Sequence, residues 1–159
     1  MKNSDTMSNY ENLQLKNQLC FALYAATHAV IRSYRTRLGT VGLTYPQYLV
    51  LLVLWESDGT TVKGLAQRLH LDSATLTPLL KRLDKAGLVA RQRSAGDERV
   101  VNIFLTPEGR ALEHQVAQMQ REVACQTGLS PDEFFELRDS LNQLVETMTR
   151  NQQVAKLVA

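Results

Sequence analysis

The stretch from residue 62 to residue 105 constrains the fold most, because its apolar period changes once inside it. Val62-Lys-Gly-Leu-Ala-Gln-Arg-Leu69 reads as a short helix capped by Thr60 or Thr61. His70-Leu71 is a tight connection, and Asp72-Ser73 offers a second N-cap. Leu76, Leu79, Leu80 and Leu83 then make the apolar stripe of a second helix over Ala74–Ala86, with Gly87 as its C-cap. Beyond Gly87 the helical spacing stops. Leu88–Arg93 and Val100–Leu105 read as short strands joined by the polar loop Ser94–Arg99, a hairpin with a charged tip. Pro78 breaks the local rule, since it removes a backbone donor and crowds the carbonyl of Ala74. Either the helix starts late enough to hold Pro78 in its first turn, or it bends there.

Helix, tight turn, helix and hairpin in this order predict a winged helix-turn-helix. The charge distribution agrees. Net charge is only +2, yet residues 62–110 hold nine Lys/Arg against five Asp/Glu, and residues 111–159 hold four against seven. Ser73, Thr75, Thr77, Lys81 and Arg82 give the second helix a polar side suited to base edges and phosphates in a major groove. Arg91 and Arg93 on the first strand and Arg99 at the tip suit a wing entering a minor groove. A solvated basic face is the bland alternative, and the coincidence of element order with charge favours double-stranded DNA as partner.

The flanks are helical. Leu15, Leu19, Ala22, Leu23, Ala26, Val30 and Tyr34 repeat at three or four residues, predicting a helix over Leu13–Leu38. At about 39 Å it suits a helix that leaves its domain to pair with another chain. Gly39 and Gly42 end it, and Pro46 opens a helix carrying the run Tyr48–Trp55. Ser57–Thr61 reads as a turn. Thr106-Pro-Glu108 caps a fifth helix that Gly128 ends, and Ser130-Pro-Asp-Glu133 caps a last helix running to about Arg150. The chain of 159 residues reads as mainly α with a small β-hairpin wing. The polar segment Met1–Glu11 does not read as a signal peptide, and the longest apolar run is eight residues, so no membrane partner and a cytoplasmic location are expected. Two cysteines exclude a disulfide scaffold and a four-cysteine zinc site, and His28, His70 and His114 lack ligand spacing, so no metal or cofactor is expected.

Gly42-Leu-Thr-Tyr-Pro-Gln-Tyr-Leu-Val50, Leu71–Leu83, Asp97-Glu-Arg99 and Leu105-Thr-Pro-Glu-Gly109 resemble the MarR family. The first of these, with Asn17-Gln-Leu-Cys-Phe-Ala-Leu-Tyr-Ala-Ala26, resembles its organic-hydroperoxide-sensing OhrR branch. Pro78 belongs to that pattern, and His28 stands where a small hydroxyl is expected. The resemblance implies a homodimer and a repressor of a pseudo-palindromic operator, and it adds Asp97 to the wing residues at DNA. Implied regions within the one chain, 1–159, are dimerisation helices in 13–45 and 106–155 around a DNA-binding region 46–105.

Cys20 on an amphipathic helix is ordinarily a small core residue. Tyr24 shares its face one turn on. Tyr34 projects in nearly the same direction, but fourteen residues of helix span about 21 Å, so it meets a Cys20 only where two such helices cross in a dimer. The resemblance implies the same: tyrosines matching Tyr34 and Tyr45 contact the reactive cysteine across the dimer and support its thiolate. It also implies oxidation of Cys20 by organic hydroperoxide and, in two-cysteine members, an intersubunit disulfide with Cys125. Three alternatives stay open: a MarR-type regulator responding to phenolic ligands, a thiol peroxidase turning over through Cys20 and Cys125, and a structural coiled dimer. The regulator reading expects no enzyme activity.

Overall fold

A computed structural model describes residues 10–158 except 95 and 98. The chain divides into two compact units, residues 1–120 and 121–159. Among the described residues, six α-helices and three short strands follow in the order α1 (Leu19–Gly39), α2 (Tyr45–Glu56), β1 (Thr60–Thr61), α3 (Val62–Leu69), α4 (Ser73–Lys85), β2 (Val89–Arg93), β3 (Val101–Leu105), α5 (Pro107–Gln126) and α6 (Pro131–Val158). The mainly helical class with a small β wing is as expected. The first nine residues, most of the segment that does not read as a signal peptide, lie outside the described residues, as do Ala95 and Glu98 of the wing tip.

The first helix begins at Leu19, six residues later than its apolar period predicts. Two 3₁₀ turns, Glu11–Leu13 and Leu15–Asn17, precede it. Side-chain amides explain the late start by competing with the helical ladder. Asn17 Nδ2 donates to the Glu11 carbonyl at 2.8 Å, and Gln18 Nε2 donates to the carbonyls of Asn12 and Gln14. Cys20 therefore lies in the first turn of α1 rather than in mid-helix.

In α2, Thr44 and Gln47 form a reciprocal capping box and Pro46 sits in the first turn. Thr60–Thr61 is a strand, not a turn. It pairs antiparallel with β3 (Thr60 opposite Ile103), giving a three-stranded sheet of order β1-β3-β2. Two residues are too few to show a period of two in sequence. The expected hairpin forms, each strand starting one residue later than predicted, with Val89 opposite Leu105 and Arg93 opposite Val101.

Thr61 caps α3 through Gly64 N (3.0 Å), His70 takes the left-handed conformation (φ 51°) in the turn, and Asp72 caps α4. Leu76, Leu79, Leu80 and Leu83 are all buried, each contributing about 1.5–3 kcal/mol. Pro78 is the sixth residue of α4, so it is not in the first turn, and it supplies no amide to the Ala74 carbonyl. The wing base is tied on two sides. Trp55 Nε1 donates to the Gly109 carbonyl at 3.0 Å, and a Cβ at Gly109 would meet Leu88 O at 2.1 Å. Asp58 accepts from Leu105 N at 2.8 Å and pairs with Arg110.

Thr106 caps α5 through Gly109 N at 3.0 Å. In the second unit Ser130 and Glu133 cap α6, which continues eight residues past the expected end because Gln152, Gln153, Val154 and Ala155 bring no breaker. Among the described residues, no helix is long and apolar enough to cross a membrane.

Candidate nucleic-acid interface and redox site

On α4, Ser73, Thr75, Lys81 and Arg82 are exposed and Thr77 is half-buried, opposite the buried leucines. The Asp72 cap decides what these hydroxyls do. Its carboxylate accepts from Thr75 N at 2.6 Å, and hydrogen bonds from the Thr75 amide and then its hydroxyl hold it below the usual carboxylate range. Thr77 Oγ1 donates to the Ser73 carbonyl at 2.7 Å. Two of the three hydroxyls expected at base edges thus have local bonds, which also fix their rotamers.

Arg91, Arg93, Asp97 and Arg99 are exposed on the wing. Asp97 shapes the tip, accepting from Arg99 N with its side chain and from Val100 N with its carbonyl, both at 2.9 Å. Among the described residues, none of Lys81, Arg82, Arg91, Arg93 and Arg99 is held in an ion pair, although Arg68, Arg110 and Arg138 are. Unpaired cations on one helix and an adjoining hairpin remain available to phosphates.

The predicted redox residues fall into separate groups. Cys20 is exposed and free, and its Sγ lies 4.0 Å from Gln18 Oε1, a weak donor contact. Tyr24 is 61% exposed and packs on His28 (ring centroids 4.3 Å) and Phe21 (6.5 Å). Tyr34, at the other end of α1, is buried against Tyr45 and Tyr48 of α2, both at 5.2 Å. Tyr48 belongs to this cluster, although the sequence pointed only to Tyr34 and Tyr45. The signal was its spacing of three from Tyr45 in L-T-Y-P-Q-Y, which puts both on one helical face. Burial, then the neighbouring Tyr34 and a side-chain hydrogen bond with it, push the Tyr48 phenol far above its ordinary range. Burial and then Tyr34 raise Tyr45 as well. Tyr45 and Tyr48 are therefore neutral hydrogen-bonding phenols at physiological pH.

Cys125 is exposed and free in the last turn of α5, within the second unit. Among the described residues, no three His, Cys, Asp or Glu side chains gather as a metal site requires.

The pattern of the MarR family matches residues 43–101. The chain is 54% identical over 127 residues to the transcriptional regulator TtmR of Methylorubrum extorquens, covering 80% of this chain but 65% of that relative's length, just under two thirds. It is 40% identical over 141 residues to an organic hydroperoxide resistance transcriptional regulator of Bacillus subtilis, covering 89% of this chain and 96% of that one. Among solved structures, reduced AbfR bound to DNA superposes with a TM-score of 0.75 at 34% identity, covering 90% of this chain and 98% of that one. AbfR, a Staphylococcus epidermidis protein, has also been solved in a disulfide form, which superposes with a TM-score of 0.62 at 35% identity over 90% and 95% of the two chains.

Proposed function

The chain belongs to the MarR family of transcriptional regulators, and from that premise we propose that it is a redox-sensing repressor of the organic-hydroperoxide-sensing OhrR branch, of the two-cysteine type. The dimer pairs helices from 13–45 and 106–155, and region 46–105 reads DNA. Two copies of α4 enter successive major grooves of a pseudo-palindromic operator, with Arg91, Arg93 and Arg99 of each wing beside them. Exposed apolar side chains support the dimer: Leu19 (63%), Tyr24 and Val30 on α1, and Phe135, Leu141, Val145 and Met148 on α6.

One observation carries the sensor reading. Cys20 is exposed at the start of α1, and Tyr34 and Tyr45 are packed together about 21 Å along from it. No single chain joins them, whereas a crossing partner helix does. The phenol hydroxyls then donate to the partner's thiolate, the nucleophilic form. Cys20 also occupies the helical turn whose unbonded amides favour a negative charge. The thiolate attacks one oxygen of the hydroperoxide, the O–O bond breaks and, with one proton taken up, an alcohol leaves and Cys20 becomes a sulfenic acid. The thiol of Cys125 from the other chain attacks that sulfur, water leaves, and an intersubunit disulfide forms. It moves the dimerisation helices and respaces the two α4 helices, so DNA is released. The Bacillus relative's name and the disulfide form of AbfR support this sequence of events.

A cavity of about 340 Å³ between α2 and α5, lined by Leu52, Trp55, Glu56, Val116 and Ala117, favours a second reading in which a phenolic ligand releases the operator. Operator release by a salicylate-type compound from the Cys20→Ser protein would select it. Operator binding before and after organic hydroperoxide, with non-reducing gels of the same samples, tests the main reading.

A further inference from the structure

A groove of about 410 Å³ lies between the start of α3 and the wing. Thr61, Val62, Val100 and Val101 line it, and Lys63, Arg91 and Arg99 bring three cations to it. The β1–β3 ladder puts them there: Thr61 pairs opposite Asn102, which sets the first turn of α3 beside the base of the wing strands. Lys63 precedes Arg91 by 28 residues and sits on the first helix of the helix-turn-helix, so only the fold brings the two together. Lys63 is exposed, and among the described residues none of the three cations is held in an ion pair.

We propose that this groove seats the duplex backbone flanking the operator half-site, and that Lys63 is a DNA-binding residue that meets one phosphodiester while Arg91 and Arg99 meet its neighbours. The apolar lining is what selects a phosphodiester over free phosphate. Val62, Val100 and Val101 offer no side-chain donors to a small, strongly hydrated anion, but they accept the face of a deoxyribose while the cations meet the phosphates on either side of it. The seat locks the base of the wing to α3 through the backbone that both contact. The inference rests on the DNA-binding reading above.

The test uses the reduced full-length chain and a short duplex of mixed sequence, because a backbone contact needs no operator. Affinity is measured against salt for wild type, Lys63→Gln, Lys63→Arg and, as a remote exposed cation, Lys16→Gln. Each phosphate neutralised contributes about 0.9 to the slope of log affinity against log salt. Lys63→Gln is expected to lower the slope by about one per protomer, with Lys63→Arg and Lys16→Gln near wild type. Amide chemical shifts at residues 62–64 and 99–101 should respond to the duplex and not to inorganic phosphate alone. A wild-type slope in Lys63→Gln overturns the seat while leaving DNA binding intact. Equal losses in Lys63→Gln and Lys16→Gln reduce it to general electrostatics, and saturation by inorganic phosphate makes it a free-anion site. Failure of wild type to bind any duplex at low salt removes the DNA-binding reading and the seat with it.

Discussion

Tyr34 near the end of α1 and Tyr45 at the start of α2 pack their rings at a centroid distance of 5.2 Å, tilted by 52°, across the turn made by Gly39–Thr44. Gly42 takes φ 70° there, and Leu43 N returns to the Leu38 carbonyl at 2.9 Å, so the chain reverses tightly enough to set both phenols side by side. Tyr48 closes the cluster from the next turn of α2. A proton-donating corner is thereby built in each chain, well away from that chain's own cysteine.

Tyr34→Phe removes one phenolic donor and leaves the ring packing. A hydrogen bond to a charged group contributes about 1.5–3 kcal/mol, so oxidation of Cys20 is expected to slow by about tenfold or more with operator affinity unchanged. Stopped-flow trapping of the sulfenate checks it. An unchanged rate removes Tyr34 from the sensing chemistry.

Cys125→Ser is expected to halt oxidation at the Cys20 sulfenate. Treated with hydroperoxide, the variant should run as a monomer on a non-reducing gel, where wild type runs as a covalent dimer. A covalent dimer from the variant would contradict the proposed pairing.

The Asp72 cap carries a pH dependence with a definite sign. Its folded-state carboxyl titrates below the unfolded one, so the unfolded chain takes up the proton first. The cap therefore stabilises α4 above the ordinary carboxylate range and stops doing so as pH falls through the lowered folded value. Asp72→Ala should lower Tm at neutral pH, with a gap to wild type that narrows under acid, while Asp72→Asn keeps a neutral cap at every pH. A gap that is independent of pH counts against the carboxylate as the capping form.

Arg99→Ala is expected to weaken operator binding and flatten its salt slope by about one per protomer. Fluorescence anisotropy at several salt concentrations measures it. A slope equal to wild type excludes Arg99 from phosphate and groove contacts.

The helix-turn-helix was legible because its signals are local. Asp72, the four leucines of α4, Gly87 and Thr106 each dictate their own turn, and each sits where its residue type implies. What escaped was decided by long-range pairing or by competition among side chains. Thr60–Thr61 becomes a strand only because β3 is beside it. The helix predicted from Leu13 starts at Leu19 because Asn17 and Gln18 bond the carbonyls before it, which moves Cys20 into the first turn. The tyrosines were visible as a list, but packing of α1 on α2 was needed to show that Tyr34, Tyr45 and Tyr48 form one cluster and that Tyr24 packs with His28 instead.

The most direct test measures affinity for an operator selected from a randomised duplex library, with wild type and Cys20→Ser, before and after organic hydroperoxide. The account predicts that both proteins bind when reduced, that wild type releases the operator on oxidation and rebinds after a thiol reductant, and that Cys20→Ser stays bound throughout. Release of Cys20→Ser by hydroperoxide, or retention of the operator by fully oxidised wild type, would contradict it.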